Sequence, residues 1–165
     1  NNPGRGWQTL KINSKKITIV NLIGQVYMPC YDSPYHKFME LYPQIKDSDI
    51  ILIDFHAEAT GEKMAFARAV DGMVTAIIGT HTHVQTNDAQ IFPEGTAYIT
   101  DAGLTGAIDS ILGMKPDKMI EKMKTSLPVS YDVGTGNVKI EGVIVKTDDQ
   151  NNSVQQIMEI KKNNL

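Results

Sequence analysis

Three short runs of branched apolar residues, over 16–23, 49–54 and 74–78, most constrain what this chain can fold into. Each is dense in Ile, Leu and Val, and the pattern predicts largely buried strands. Between the second and third, Thr60 is expected to cap a helix over 61–70. Phe66 and Val70 stand one turn apart there, with Ala65 and Ala69 alongside for close packing. Strand, helix, strand with short loops is the pattern of a parallel crossover unit, and chemically active residues in such units gather at the carboxyl ends of the strands.

The flanking segments fit one domain over 1–165 built around that unit. Residues 25–33 have no period and read as a loop or flap. Pro34 suits the first turn of a helix whose apolar face is Phe38, Met39, Leu41 and Tyr42, with Pro43 interrupting it. His36 falls in its first turn as a solvated or half-packed residue. Residues 89–92 and 96–100 flank Pro93-Glu94-Gly95 as a hairpin, and 138–146 with 154–160 form another. Pro116 is expected to open an amphipathic helix with Met119, Ile120 and Met123 inward. The opening Asn1-Asn2-Pro3-Gly4-Arg5-Gly6-Trp7 has no initiator Met and reads as a connecting loop of something longer.

Composition excludes some partners. The chain has 165 residues, 41% of them hydrophobic, enough for a sizeable core, and 16 basic against 19 acidic residues are spread without a basic stripe. Nothing in that balance provides an electrostatic footprint for nucleic acid. A single Cys30, read as a packed or loop thiol, cannot form an internal disulfide. With no leader-like or membrane-length apolar segment, the expectation is no membrane association and a reducing cytoplasmic setting.

The chemistry concentrates in His56, His81 and His83. The run over 49–54 delivers Phe55-His56-Ala57-Glu58 into the next loop, and the run over 74–78 ends at Gly79, which is expected to turn the backbone and send His81-Thr82-His83 into one cavity. Three imidazoles at the carboxyl ends of two joined strands suit Zn, Fe or Mn, and Asp54 and Glu58 are placed to orient a ligand ring through its second nitrogen. The competing reading packs His56 against Phe55 and leaves the other two on a loop surface. The Gly-rich turn from Asp101 to Gly106 either lends backbone donors to a phosphate or simply connects two elements.

Asp54-Phe55-His56-Ala57-Glu58-Ala59-Thr60, Gly79-Thr80-His81-Thr82-His83-Val84-Gln85-Thr86 and Tyr98-Ile99-Thr100-Asp101-Ala102-Gly103-Leu104-Thr105-Gly106, in that order, resemble the YmdB-like branch of the calcineurin-type metallophosphoesterases. The likeness corresponds to the C-terminal portion of that family. It implies an α/β fold, a two-layer β-sandwich flanked by helices and lacking its N-terminal part, with a two-metal centre at the strand ends. It makes His56 and His81 ligands of one metal and His83 a ligand of the other, with Asp54, Glu58, Thr80, Thr82 and Asp101 as outer-layer or pocket residues. The remaining ligands, and an Asn-His pair whose His assists the chemistry, precede this region in the family. Asp54-Phe55-His56 also resembles the first metal motif of the wider superfamily, but no Asn lies between His56 and His81, so it is read as the later motif.

The implied activity is hydrolysis of a phosphodiester, a cyclic nucleotide such as 2′,3′-cyclic AMP. Two divalent ions, manganese or iron ahead of zinc, would share the attacking hydroxide. Two alternatives stand beside it: a catalytically incomplete fragment that binds metal or works only with its N-terminal half, and a mononuclear hydrolase completed by Asp54, Glu58 or Asp101. Lost strands would expose apolar surface, so an unstable or self-associating species, a homo-oligomer among the outcomes, is expected of these residues alone.

Overall fold

The computed structural model describes residues 4–29 and 32–163. Cys30, and Asn1 to Pro3 of the expected connecting loop, lie outside the described residues. Among the described residues no helix is long and apolar enough to cross a membrane.

A six-stranded sheet and two helices make the main layer. β1 (Trp7–Ile12) pairs antiparallel with β2 (Lys15–Ile23), which starts a parallel set with β3 (Ile50–His56), β4 (Ala76–Thr80) and β6 (Ala97–Ile99). The two-residue β5 (Gln90–Ile91) closes the far edge, so the order is β1-β2-β3-β4-β6-β5. The parallel crossovers are made by α1 (Pro34–Ile45) between β2 and β3 and α2 (Thr60–Ala69) between β3 and β4. Both helices cover one face, where Val20, Leu22, Ile51, Ile53, Phe55 and Ile77 meet Phe38, Leu41, Ile45, Phe66 and Ala67. Burying each large side chain contributes about 1.5–3 kcal/mol.

A second sheet has β7 (Gly106–Ala107), β8 (Val138–Thr147) and β9 (Val154–Asn163), all antiparallel. It meets the first through β9 against β5 and β6. Side-chain hydrogen bonds fasten it. Gln85 Nε2 donates to Gly142 O and Ile160 O at 2.9 and 3.1 Å, and Lys15 Nζ donates to Asp149 O at 2.6 Å. The expected mixed α/β architecture with two sheets and flanking helices is therefore present.

The register also defines an uncovered face. Alternation from the paired residues puts Leu10 and Ile12 of β1, Ile19, Asn21 and Ile23 of β2, Leu52, Asp54 and His56 of β3, and Ile78 and Thr80 of β4 on the side away from α1 and α2. Leu10, Ile12, Ile19 and Ile23 are 37–50% exposed.

Several local expectations are corrected. Pro43 sits inside α1 rather than ending it: the helix continues to fully buried Ile45, and the Lys46 N–H closes the last turn on Tyr42 O at 2.9 Å. Ser33 caps its start. Thr60 is helical itself, and the N-cap is Ala59, which has no side chain to offer. Ala65 and Ala69 are exposed; Lys63, Phe66, Ala67 and Val70 form the buried stripe. α3 (Pro116–Thr125) forms, but none of its residues is buried and Met123 is 74% exposed. Amphipathic spacing states what a helix can bury, not that a partner lies within reach.

Candidate active site

The histidines are presented differently from the expectation. β3 runs through His56, which pairs in register with Ile23 and Thr80, so this ring leaves a strand and not a loop. Gly79 likewise lies inside β4 and does not turn the chain. Its value is closeness: a Cβ there would stand 1.7 Å from Thr100 O. The turning is done by His81 and His83 themselves, with φ of 105° and 63°. Left-handed backbone at a non-glycine residue is strained and is held only where the surroundings over-determine it.

His56 and His81 meet directly. His56 Nε2 lies 3.0 Å from His81 Nδ1, with the rings edge to face at 4.7 Å. The outer nitrogens are both engaged. The Thr80 hydroxyl donates to Asp54 Oδ1 at 2.7 Å, so His56 Nδ1, 3.2 Å away, donates its proton to that hydroxyl oxygen. Asn21 Nδ2 steadies the other Asp54 oxygen at 2.8 Å. On the far side, Glu58 Oε2 lies 3.0 Å from His81 Nε2. Burial, then the neighbouring His81, holds the His56 imidazole below its ordinary value, while Asp54 pulls the other way.

That proton count suits a cation. His56 presents an Nε2 lone pair toward His81 Nδ1, where one ion can stand between the two nitrogens. Two nitrogen ligands at about 2.0–2.1 Å from one ion, at tetrahedral to right angles, lie about 2.9–3.4 Å apart, and the observed separation of 3.0 Å falls in that interval. The residues present fit two donors to one metal, each with its second nitrogen anchored. His83 stands apart, donating from Nδ1 to Leu112 O at 2.9 Å, which leaves Nε2 as its acceptor. Among the described residues no three His, Cys, Asp or Glu side chains converge to hold a metal ion.

Of the other candidates, Thr82 sends its N–H to Asp101 Oδ2 at 2.9 Å. Asp101 is fully buried beneath the turn against Lys63. The turn from Asp101 to Gly106 spends N–H groups within the protein: Asp101 on Thr86 Oγ1 and Ala102 on Gly79 O, both 2.9 Å, and Gly103 on Asp101 Oδ1 and Leu104 on Glu141 Oε2, both 3.0 Å. Asn21, Lys63, Gln85 and the Leu112 carbonyl are additions that sequence reasoning missed. Asn21 interrupts the apolar end of β2 between Val20 and Leu22, and Lys63 falls three residues before Phe66 on the buried stripe; those are the available signals.

Parallel strands crossed by helices, a second sheet alongside and an anchored imidazole pair at the strand ends define a metallophosphoesterase-like α/β protein. The same architecture occurs in a hypothetical protein from Thermus thermophilus, 30% identical with a TM-score of 0.94, matching 99% of this chain and 64% of that one. It occurs also in a Mycoplasma pneumoniae protein described as a novel phosphatase, 36% identical with a TM-score of 0.89, over 98% of this chain and 58% of that one. Residues 1–160 match the family described as YmdB-like protein, and the chain belongs to that family. A relative from Bacillus subtilis (strain 168), a 2′,3′-cyclic-nucleotide 2′-phosphodiesterase, is 45% identical over 96% of this chain and 60% of its own length. The chain thus spans a little over half the length of the curated relatives it matches.

Proposed function

We propose that these residues form, as one domain, the C-terminal part of a metal-dependent phosphodiesterase that hydrolyses cyclic nucleotides such as 2′,3′-cyclic AMP in a reducing cytoplasm. The observation that carries the reading is the His56–His81 pair, 3.0 Å apart with both outer nitrogens anchored, in a chain resembling a phosphodiesterase of that class. His56 and His81 would hold one divalent ion and His83 Nε2 the other, with manganese or iron ahead of zinc. Such ions, when bound, neutralise charge on the phosphoryl oxygens and lower the pKa of water.

The chain's own contribution is ligation and orientation. Thr80 and Asp54 fix the His56 tautomer, Glu58 holds the outer nitrogen of His81, and the Leu112 carbonyl fixes that of His83. The pair's nitrogens are engaged in ligation and anchoring, and the family resemblance assigns proton transfer to the leaving oxygen to a His of the upstream Asn-His pair. The mononuclear alternative loses Asp101 as a ligand, because that carboxylate is spent on Lys63, Thr82 and Gly103. The absence of a three-ligand convergence among the described residues favours a second reading: these residues alone bind metal weakly and are inactive.

Manganese-dependent hydrolysis of bis-p-nitrophenyl phosphate and 2′,3′-cyclic AMP tests the reading, with metal analysis of the same sample. The protein carrying this chain together with the N-terminal region of its relatives is expected to turn over, the 165 residues alone to be silent, and His81→Ala to abolish the rate. Metal-independent turnover, or an unaffected His81→Ala rate, would overturn the proposal.

A further inference from the structure

The Lys63 and Asp101 side chains are both 0% exposed and lie 3.2 Å apart, Nζ to Oδ2. Among the described residues α2 has no other buried charge. Lys63 Nζ uses all three of its protons, donating also to Thr80 O at 2.7 Å and Thr100 O at 3.0 Å. Asp101 Oδ2 accepts from Thr82 N–H at 2.9 Å and Oδ1 from Gly103 N–H at 3.0 Å. The two peptide groups that flank His81 therefore both end on this pair, the Thr80 carbonyl on the cation and the Thr82 N–H on the anion. Between them stands a non-glycine residue with φ of 105°. Gly79 completes the arrangement, since a Cβ there would lie 3.1 Å from Lys63 Cδ as well as colliding with Thr100 O.

We propose that Lys63 and Asp101 are a positioning pair that sets the His81–His83 turn from beneath. The pair holds the backbone on either side of His81 in its left-handed conformation and so aims Nδ1 at His56. A buried ion pair on an apolar stripe is costly against a hydrophobic replacement of similar volume, and its retention here accompanies a strained turn in the candidate site. The importance of that aim rests on the proposed metal centre; the geometric claim does not.

The test is nitrogen-15 NMR, at one pH and without metal, of the protein that carries this chain together with the N-terminal region of its relatives. In the unsubstituted protein the Thr82 amide is expected to exchange as slowly as strand amides, and His81 and His83 to give single sharp ring signals. Lys63→Met is expected to shift both ring signals and speed Thr82 exchange at least tenfold, leaving exposed His36 unchanged. Lys63→Met with Asp101→Asn removes the unpaired charge and is expected to recover thermal stability without recovering the ring signals. A Thr82 amide that exchanges at open-loop rates in the unsubstituted protein, or wild-type ring signals in either folded variant, would refute the pair's positioning role. Cobalt titration of the same samples separates the two ideas. Failure to bind cobalt, with the NMR result intact, removes the metal reading and leaves the positioning role standing.

Discussion

Replacing Gly79 by Ala separates two accounts of that glycine. Its φ is not positive, so backbone freedom alone predicts that alanine is tolerated or gains about 0.4–1 kcal/mol from a less flexible unfolded chain. The structure predicts the opposite. The new methyl carbon would sit 1.7 Å from Thr100 O and 2.6 Å from its carbonyl carbon, so β4 and β6 must separate by more than an ångström. Overpacking of that kind costs about 1–3 kcal/mol. The shift also loosens Ala102 N–H on Gly79 O, now 2.9 Å, and Lys63 Nζ on Thr100 O, now 3.0 Å, worth about 1 and about 1.5–3 kcal/mol. A net loss on the order of 4 kcal/mol follows, which for a chain of this size lowers the thermal midpoint by about 8–16 °C. Circular dichroism melts of Gly79→Ala and Gly61→Ala provide the comparison, since Gly61 has nothing within 4 Å of its would-be Cβ. A Gly79→Ala midpoint within about 2 °C of the parent, roughly half a kcal/mol, would refute the close-approach argument.

Thr80→Val removes the hydroxyl between Asp54 and His56 while keeping the shape, and metal affinity measured by calorimetry should fall about 10–100-fold; an unchanged affinity would remove Thr80 from the site. At Glu141, burial works to raise the carboxyl but is outweighed by hydrogen bonds from Lys139, Lys161 and the Leu104 N–H, which bring it down to about 2. Because the folded value lies below the ordinary 4.5, its contribution is complete above pH 4.5 and is lost as pH falls toward 2. Acid unfolding of Glu141→Gln should lack part of that loss, and a parallel curve would contradict it. The uncovered face of Leu10, Ile12, Ile19 and Ile23 predicts self-association of the chain alone, read by light scattering and relieved by Ile19→Lys with Leu10→Lys; a monodisperse, cooperatively unfolding monomer would count against it.

The strands β2, β3 and β4 are legible in the sequence because their branched apolar runs can hardly be buried any other way, and α1 and α2 follow from their spacing. What lies beyond reach is non-local. A turn glycine and a close-approach glycine look alike in sequence, so Gly79 reads as the first while Thr100, the residue that demands it, lies 21 positions on. Lys63 sits on the apolar stripe of α2, yet its reason for being there is Asp101, brought in by the turn that follows β6. The pairing of His56 with His81 can be anticipated from strand ends. The separate engagement of His83 with Leu112 cannot, because it depends on where a long irregular segment returns. α3 shows the converse failure: its spacing is amphipathic, but no residue of it is buried.

Gln85 joins the histidine turn to Ala102 and, through Gly142 and Ile160, to both strands of the β8–β9 hairpin. Local opening free energies differ across a protein, and a segment fastened to a weaker unit shares its fluctuations. Fraying of β9 from its C-terminal end therefore releases an acceptor 75 residues away from the glutamine that depends on it. The hairpin is thereby one of the tethers of the turn bearing His81 and His83. Shortening the chain by a few residues at that end would show first as faster exchange around Gln85, before any change in the helices on the opposite face.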